Sequence, residues 1–146
     1  MARLLLLFAL ALAQTGAMAG DWQVRQRLAL PFADVRDAVV MAIERRGLVV
    51  NSISRLGEML QRTAADLGAT KQVYAQAEIV EFCSARFSRQ MLEADPHDIV
   101  LCPFTIAIYT LPGDAGSTWV AYRRPPANVA AIVEPLLSGI VAEAGE

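Results

Sequence analysis

Cys83 and Cys102 are the only two cysteines in the chain, and they are the residues best suited to chemistry. Thiols can bond to one another, exchange disulfides or hold a soft metal. The pair brackets a short polar stretch, residues 84–101, between two apolar runs. Cys83 precedes a short predicted helix that carries Arg86 and Arg89. A helix start and nearby cations favour the thiolate form. Against redox exchange, the Cys-x-x-Cys spacing of thioredoxin-like enzymes is missing. Met91 and His97 lie inside the bracket, and Cys/His/Met sets suit copper(I) or haem iron. However, Met91 recurs with Phe87 and Leu92 at core-facing helical spacing. His97, the one histidine, sits in the turn-like run Asp95-Pro96-His97-Asp98. The leading expectation is a structural Cys83–Cys102 disulfide, with no cofactor and no metal. The alternative is thiol-disulfide redox, or metal or haem handling, by Cys83, Cys102, Met91 and His97.

Other constellations carry less. Glu78 and Glu81 are three apart on a predicted strand, so they face opposite sides and make no acid/base pair. A single histidine outside any motif argues against a Ser-His-Asp triad. The glycines are isolated, which excludes a phosphate loop. Trp119, Tyr122, Arg123 and Arg124 could form an aromatic-basic surface; an ordinary edge strand with solvated arginines is the expectation.

The disulfide expectation rests on where the chain goes. Arg3 and the apolar run from Leu4 to Ala13 have the pattern of a secretory leader, and Ala17-Met18-Ala19 supplies small residues for cleavage after Ala19. The run is shorter than the roughly 20 residues needed to span a bilayer. Residues 1–19 therefore read as a signal peptide and residues 20–146 as one domain. The expected destination is the periplasm or the exterior, with no stable membrane anchor. Exported chains with paired cysteines commonly join them.

The full chain has 13 Lys+Arg against 15 Asp+Glu, a formal net charge of −2. Loss of Arg3 with the leader makes the remainder slightly more acidic. That balance lacks the basic footprint of a nucleic-acid binder. Lys71 is the only lysine, which reads as compositional bias.

Period-two and helical patterns then place the elements. Trp22 to Leu30 alternates, with Gln23, Arg25, Arg27 and Ala29 on one side, as in a strand with one wet face. Phe32 to Arg46 has a helical period through Val35, Val39, Ala42 and Ile43, acidic residues early, arginines late and Gly47 as a left-handed stop. Leu48 to Ile53 reads as a second strand, Glu58 to Leu67 as a weaker helix, and Gln72 to Phe82 as a long strand. Arg86 to Ala94 reads as a helix with Ser84 as its N-cap, ended by Asp95-Pro96. Phe104 to Leu111 and Ser117 to Tyr122 form a hairpin around Pro112-Gly113-Asp114-Ala115-Gly116. Asn128 to Ala144 closes the chain as a helix.

A disulfide needs Cα atoms roughly 4.4–6.8 Å apart. Residues 84–101 must then leave and return at one sheet edge, which makes the strands before and after them antiparallel. Such a staple would stabilise by about 3 kcal/mol. The fold class expected is α+β: one domain with a largely antiparallel sheet of about five strands and helices packed mainly on one face.

The pattern from Leu28 to Pro125 resembles the domain of unknown function 302 family. Pro31-Phe32 opens a helix that ends in Arg-Gly. Glu81-Phe82-Cys83-Ser84, Met91-Leu92-Glu93-Ala94-Asp95-Pro96 and Cys102-Pro103-Phe104-Thr105-Ile106-Ala107-Ile108-Tyr109 follow in order. The cysteines suggest an exported branch. The resemblance implies a compact α+β domain and carries over no activity or catalytic residue. Function is therefore expected to be non-enzymatic: an exported module that binds a small ligand or a periplasmic protein partner.

Overall fold

The computed structural model describes residues 22–114 and 116–146. The proposed signal peptide lies outside the described residues. Ten elements follow in order: β1 (Gln23–Leu28), α1 (Phe32–Arg45), β2 (Val49–Ser54), α2 (Leu56–Thr63), β3 (Gln76–Cys83), α3 (Ala85–Ala94), a 3-10 helix (Pro96–Leu101), β4 (Phe104–Thr110), β5 (Thr118–Arg123) and α4 (Ala127–Glu143). The strands form one sheet in the order β1-β5-β4-β3-β2, and every neighbouring pair is antiparallel. The expected α+β architecture with an antiparallel sheet is observed. Among the described residues no helix is long and apolar enough to cross a membrane.

Alternation decides which side of the sheet is dry. Val80 and Phe82 of β3, Phe104, Ile106 and Ile108 of β4, and Val120 and Tyr122 of β5 are buried on one face. α1 lays Val35, Val39, Ala42 and Ile43 on that face; α4 adds Val129, Val133, Leu137 and Ile140. Met91 of α3 is fully buried in the same cluster. Each fully buried aliphatic side chain contributes about 1.5–3 kcal/mol, so the core is built almost wholly on this face.

β1 and β2 occupy opposite edges, so α1, which connects them, crosses the width of the sheet. Gly47, at φ +70, lets the chain turn back after α1, and its N–H donates to the Glu44 carbonyl at 2.8 Å. Arg45 and Arg46 reach from the end of α1 to Glu143 at the end of α4. Tyr122 Oη donates to Glu134 Oε1 at 2.6 Å, tying β5 to α4. Burial, with the adjacent Glu134 carboxylate second, pushes that phenol well above its ordinary pKa.

Two local expectations shift. β3 begins at Gln76, not near Gln72, and its core set is Val80 and Phe82. α2 starts two residues earlier than its apolar period suggests. It packs through buried Gly57, where a Cβ would meet the Ala77 amide nitrogen at 2.8 Å. Met59 and Leu67, which share an apolar stripe at helical spacing, are exposed. Close backbone approach at one glycine outweighs the apolar stripe here.

Candidate functional site

The expected disulfide is not formed. Cys83 and Cys102 are free and are not near each other. The topology that such a bond requires is present: β3 and β4 are antiparallel, with Phe82 opposite Phe104, and residues 84–101 leave and return at one edge. Side-chain direction defeats the bond. Cys83 follows the buried Phe82, so alternation turns it to the face away from the core cluster, where it is exposed, pairs with Val49 and accepts from Asn51 Nδ2 at 3.3 Å. Cys102 packs against the helix-covered core, with Ser88 Oγ at 3.5 Å. The thiols lie on opposite faces of the sheet.

The alternative metal set is likewise not assembled. Met91 is a core residue. His97 is exposed, and its backbone N–H donates to Asp95 Oδ1. Among the described residues no group of three or more His, Cys, Asp or Glu side chains is placed to hold a metal ion. Ser84 does cap α3, accepting from the Phe87 amide.

The side of the sheet away from the core cluster is open beyond Ala77, which is buried outside that cluster where Gly57 of α2 packs on it. The strand registers set its side chains in rows across the strands. Trp119 of β5 stands opposite Arg27 of β1 and Tyr109 of β4. One step along, Ala121 lies between Arg25 and Ala107, and Ala107 pairs onward with Ile79. In the next row, Arg123 faces Gln23, and Thr105 pairs with Glu81. Two small residues thus sit between an aromatic row and a polar row. The result is a broad concavity of ≈ 710 Å³ with Ala107 and Ala121 in its floor. Trp22, Val73, Tyr74 and Leu111 extend its walls.

The aromatic wall is ordered by contact. Tyr109 and Trp119 are nearly parallel, 8° between planes with centroids 6.4 Å apart. Tyr74 meets Tyr109 edge-on at 5.5 Å. Arg25 Cζ lies 5.9 Å from the Trp119 ring centroid, within cation–π range. Burial raises the pKa of Tyr109, and the nearby Arg25 charge opposes this; the phenol is neutral at physiological pH.

The charges divide by role. Arg27 forms a fork on Asp114, at 2.8 Å for the shortest contact. Glu81 accepts from Ser52 Oγ at 2.8 Å. Among the described residues neither Arg25 nor Arg123 has a carboxylate partner; Arg123 Nη2 reaches only Thr105 Oγ1, at 3.5 Å. Trp119 Nε1 is buried without a hydrogen-bond partner. The β1–β5 end of this surface thus carries two arginines that no described carboxylate pairs.

A family model describing a domain of unknown function, DUF302, matches residues 24–146. The chain belongs to the DUF302 family. The crystal structure of an uncharacterized conserved DUF302 protein from Bacillus stearothermophilus is similar, with a TM-score of 0.70 at 15% identity. That alignment covers 86% of this chain and 99% of the other. At this identity the likeness supports the DUF302 fold alone. No curated protein matches.

Part of the DUF302 surface was visible in the sequence. Trp119 and Arg123 were singled out, and both face the concavity. Tyr122 and Arg124, grouped with them, do not belong: Tyr122 is turned to the core, and Arg124 lies 3.9 Å from Glu134 of α4. The expectation of an edge strand is corrected too, because β5 lies between β1 and β4. Tyr109, Ala107 and Ala121 were missed, although a signal existed. A hairpin centred near Asp114 puts 109 opposite 119 and 107 opposite 121. Arg25 and Tyr74 had no such signal, since only sheet order brings them there.

Proposed function

We propose that this DUF302 protein is a non-enzymatic binding module, exported to the periplasm or beyond, whose working surface is the open sheet face. The observation that carries the reading is the concavity floored by Ala107 and Ala121 and walled by Tyr74, Tyr109 and Trp119. Small ligand sites are typically concave and largely apolar, with a few polar groups that orient the guest. The walls carry arginines, aromatic rings and one carboxylate, Glu81, and neither a cysteine nor a histidine. That composition suits recognition better than bond-making. The leader-like first nineteen residues support export.

Filling the floor tests the surface. A fragment library is screened by amide chemical-shift mapping on wild type and on Ala107→Phe, whose added ring projects from the open face. Binders are expected to shift residues 105–109 and 119–123 in wild type and to bind at least about tenfold more weakly to the variant. The variant should keep the wild-type circular dichroism and melting curve. Binders that map elsewhere and ignore the substitution would sink the reading. In fractionated cells the chain should begin at Gly20 and appear outside the cytosol; a full-length cytosolic chain would overturn the export half.

A further inference from the structure

The chemistry of the open face narrows the guest to one class, an inference that rests on the binding reading above. We infer that the concavity takes a planar aromatic carboxylate of one or two rings. Its ring lies over Ala107 and Ala121 against Tyr109 and Trp119, and its anionic group is held by Arg25 and Arg123.

Size comes from the rows. The aromatic row and the polar row are four residues apart along the strands, roughly 13 Å. Between them stand alanines and, on β3, Ile79. After allowance for side-chain bulk at both rims, that gap fits one or two rings lying flat. Larger side chains at 107 and 121 would have closed it. Flatness comes from the floor itself: methyl groups on adjacent strands about 4.8 Å apart offer a smooth apolar bed. The parallel Tyr109 and Trp119 rings supply an aromatic flank for offset or edge contacts.

Charge sets the guest's sign and orientation. Arg25 and Arg123 stand at the β1–β5 end, diagonal to one another across Ala121 and Gln23. Glu81 stands on β3, two strands from Arg123, or about 10 Å away. The site is therefore polarised, positive toward β1 and negative toward β3. Arg27, on the same side of β1 as Arg25, is already paired with Asp114. Two arginines without a carboxylate leave donors suited to charge-assisted, forked bonds with a guest carboxylate. A cationic guest would meet two guanidinium groups of its own sign, and a neutral one would gain no charge-assisted bond from them.

Three matched probes decide the matter: 2-naphthoate, its neutral amide and 2-naphthylmethylamine. Each is titrated by amide chemical-shift mapping into the wild-type protein and into Arg25→Gln/Arg123→Gln. The naphthoate is expected to shift residues 105–109 and 119–123, and to bind at least about tenfold more tightly than the amide and the amine. That preference should disappear in the double variant and shrink at high salt. If amide and acid bind these residues equally, the anion inference fails while the open-face reading stands. If none of the three shifts these residues at millimolar concentration, or the acid maps to another surface, the open-face reading fails as well.

Discussion

Single atoms separate the two cysteines more than their backbone positions do. Cys83 and the chain just before Phe104 lie near one another in register, yet one thiol meets Asn51 in the open and the other packs on the core. A strand presents its side chains with a period of two, so an offset of one residue moves a group to the far side of the sheet. The same rule isolates Tyr122 from Trp119 and Arg123, one or three residues away on the same strand. Tyr122 is buried, and its hydroxyl satisfies Glu134, whose other oxygen, Oε2, has no hydrogen-bond partner. Removing that hydroxyl leaves a part-buried carboxylate with less support. Tyr122→Phe should therefore lower stability by about 1–2 kcal/mol, read as a lower urea midpoint at unchanged slope. An unaltered midpoint would show that the bond contributes nothing net.

At the scale of elements, ion pairs pin the edges of the layer together. Arg27 of β1 grips Asp114 in the β4–β5 turn, and both arginines at the end of α1 converge on Glu143 of α4. Hydrogen bonds from the arginines hold Asp114 and Glu143 below the usual carboxylate range. A carboxylate whose pKa is depressed by folding contributes stability that is present above its unfolded pKa. That contribution is lost as pH falls through the folded value. Stability should accordingly drop as pH descends from about 5 through and below the ordinary carboxylate range. Asp114→Asn should flatten part of that descent by lowering stability at pH 7 while leaving it unchanged at pH 3, and the loss should be small because the pair is exposed. Melting temperatures of both proteins between pH 3 and pH 7, in steps of about half a unit, check this; parallel curves would refute it. Arg27 and Asp114 are distant in the chain, and nothing in the local pattern of either one announces the other.

Across the whole molecule, one face of the sheet holds the core and the other holds the candidate site. That asymmetry makes a direct prediction. Ile106→Ala, on the covered face, should cost about 2–5 kcal/mol. Ile79→Ala, on the open face, should cost much less and instead alter the concavity floor. Comparable losses in denaturant titrations would contradict the single-sided core. Such a division suits a binding protein, because the site can vary without disturbing what keeps the chain folded.

Local order was written in the residues. The helical period of α1 with Gly47 behind it, the Ser84 cap, the hairpin around residue 114 and the one-sided strands all follow from short-range sterics and hydrophobic spacing. These forces act within a few residues, so the α+β class and its antiparallel character could be read from the chain. What only the tertiary structure decided was that β1 lies beside β5 and β2 beside β3, and which face most of the helices cover. That choice minimises exposed apolar area over the whole chain, and no local pattern encodes it. It placed Arg25 beside Trp119, set Tyr74 against Tyr109, and turned Cys83 and Cys102 away from each other. The residues that first suggested chemistry were thereby separated, and a surface assembled from four strands became the place to look for function.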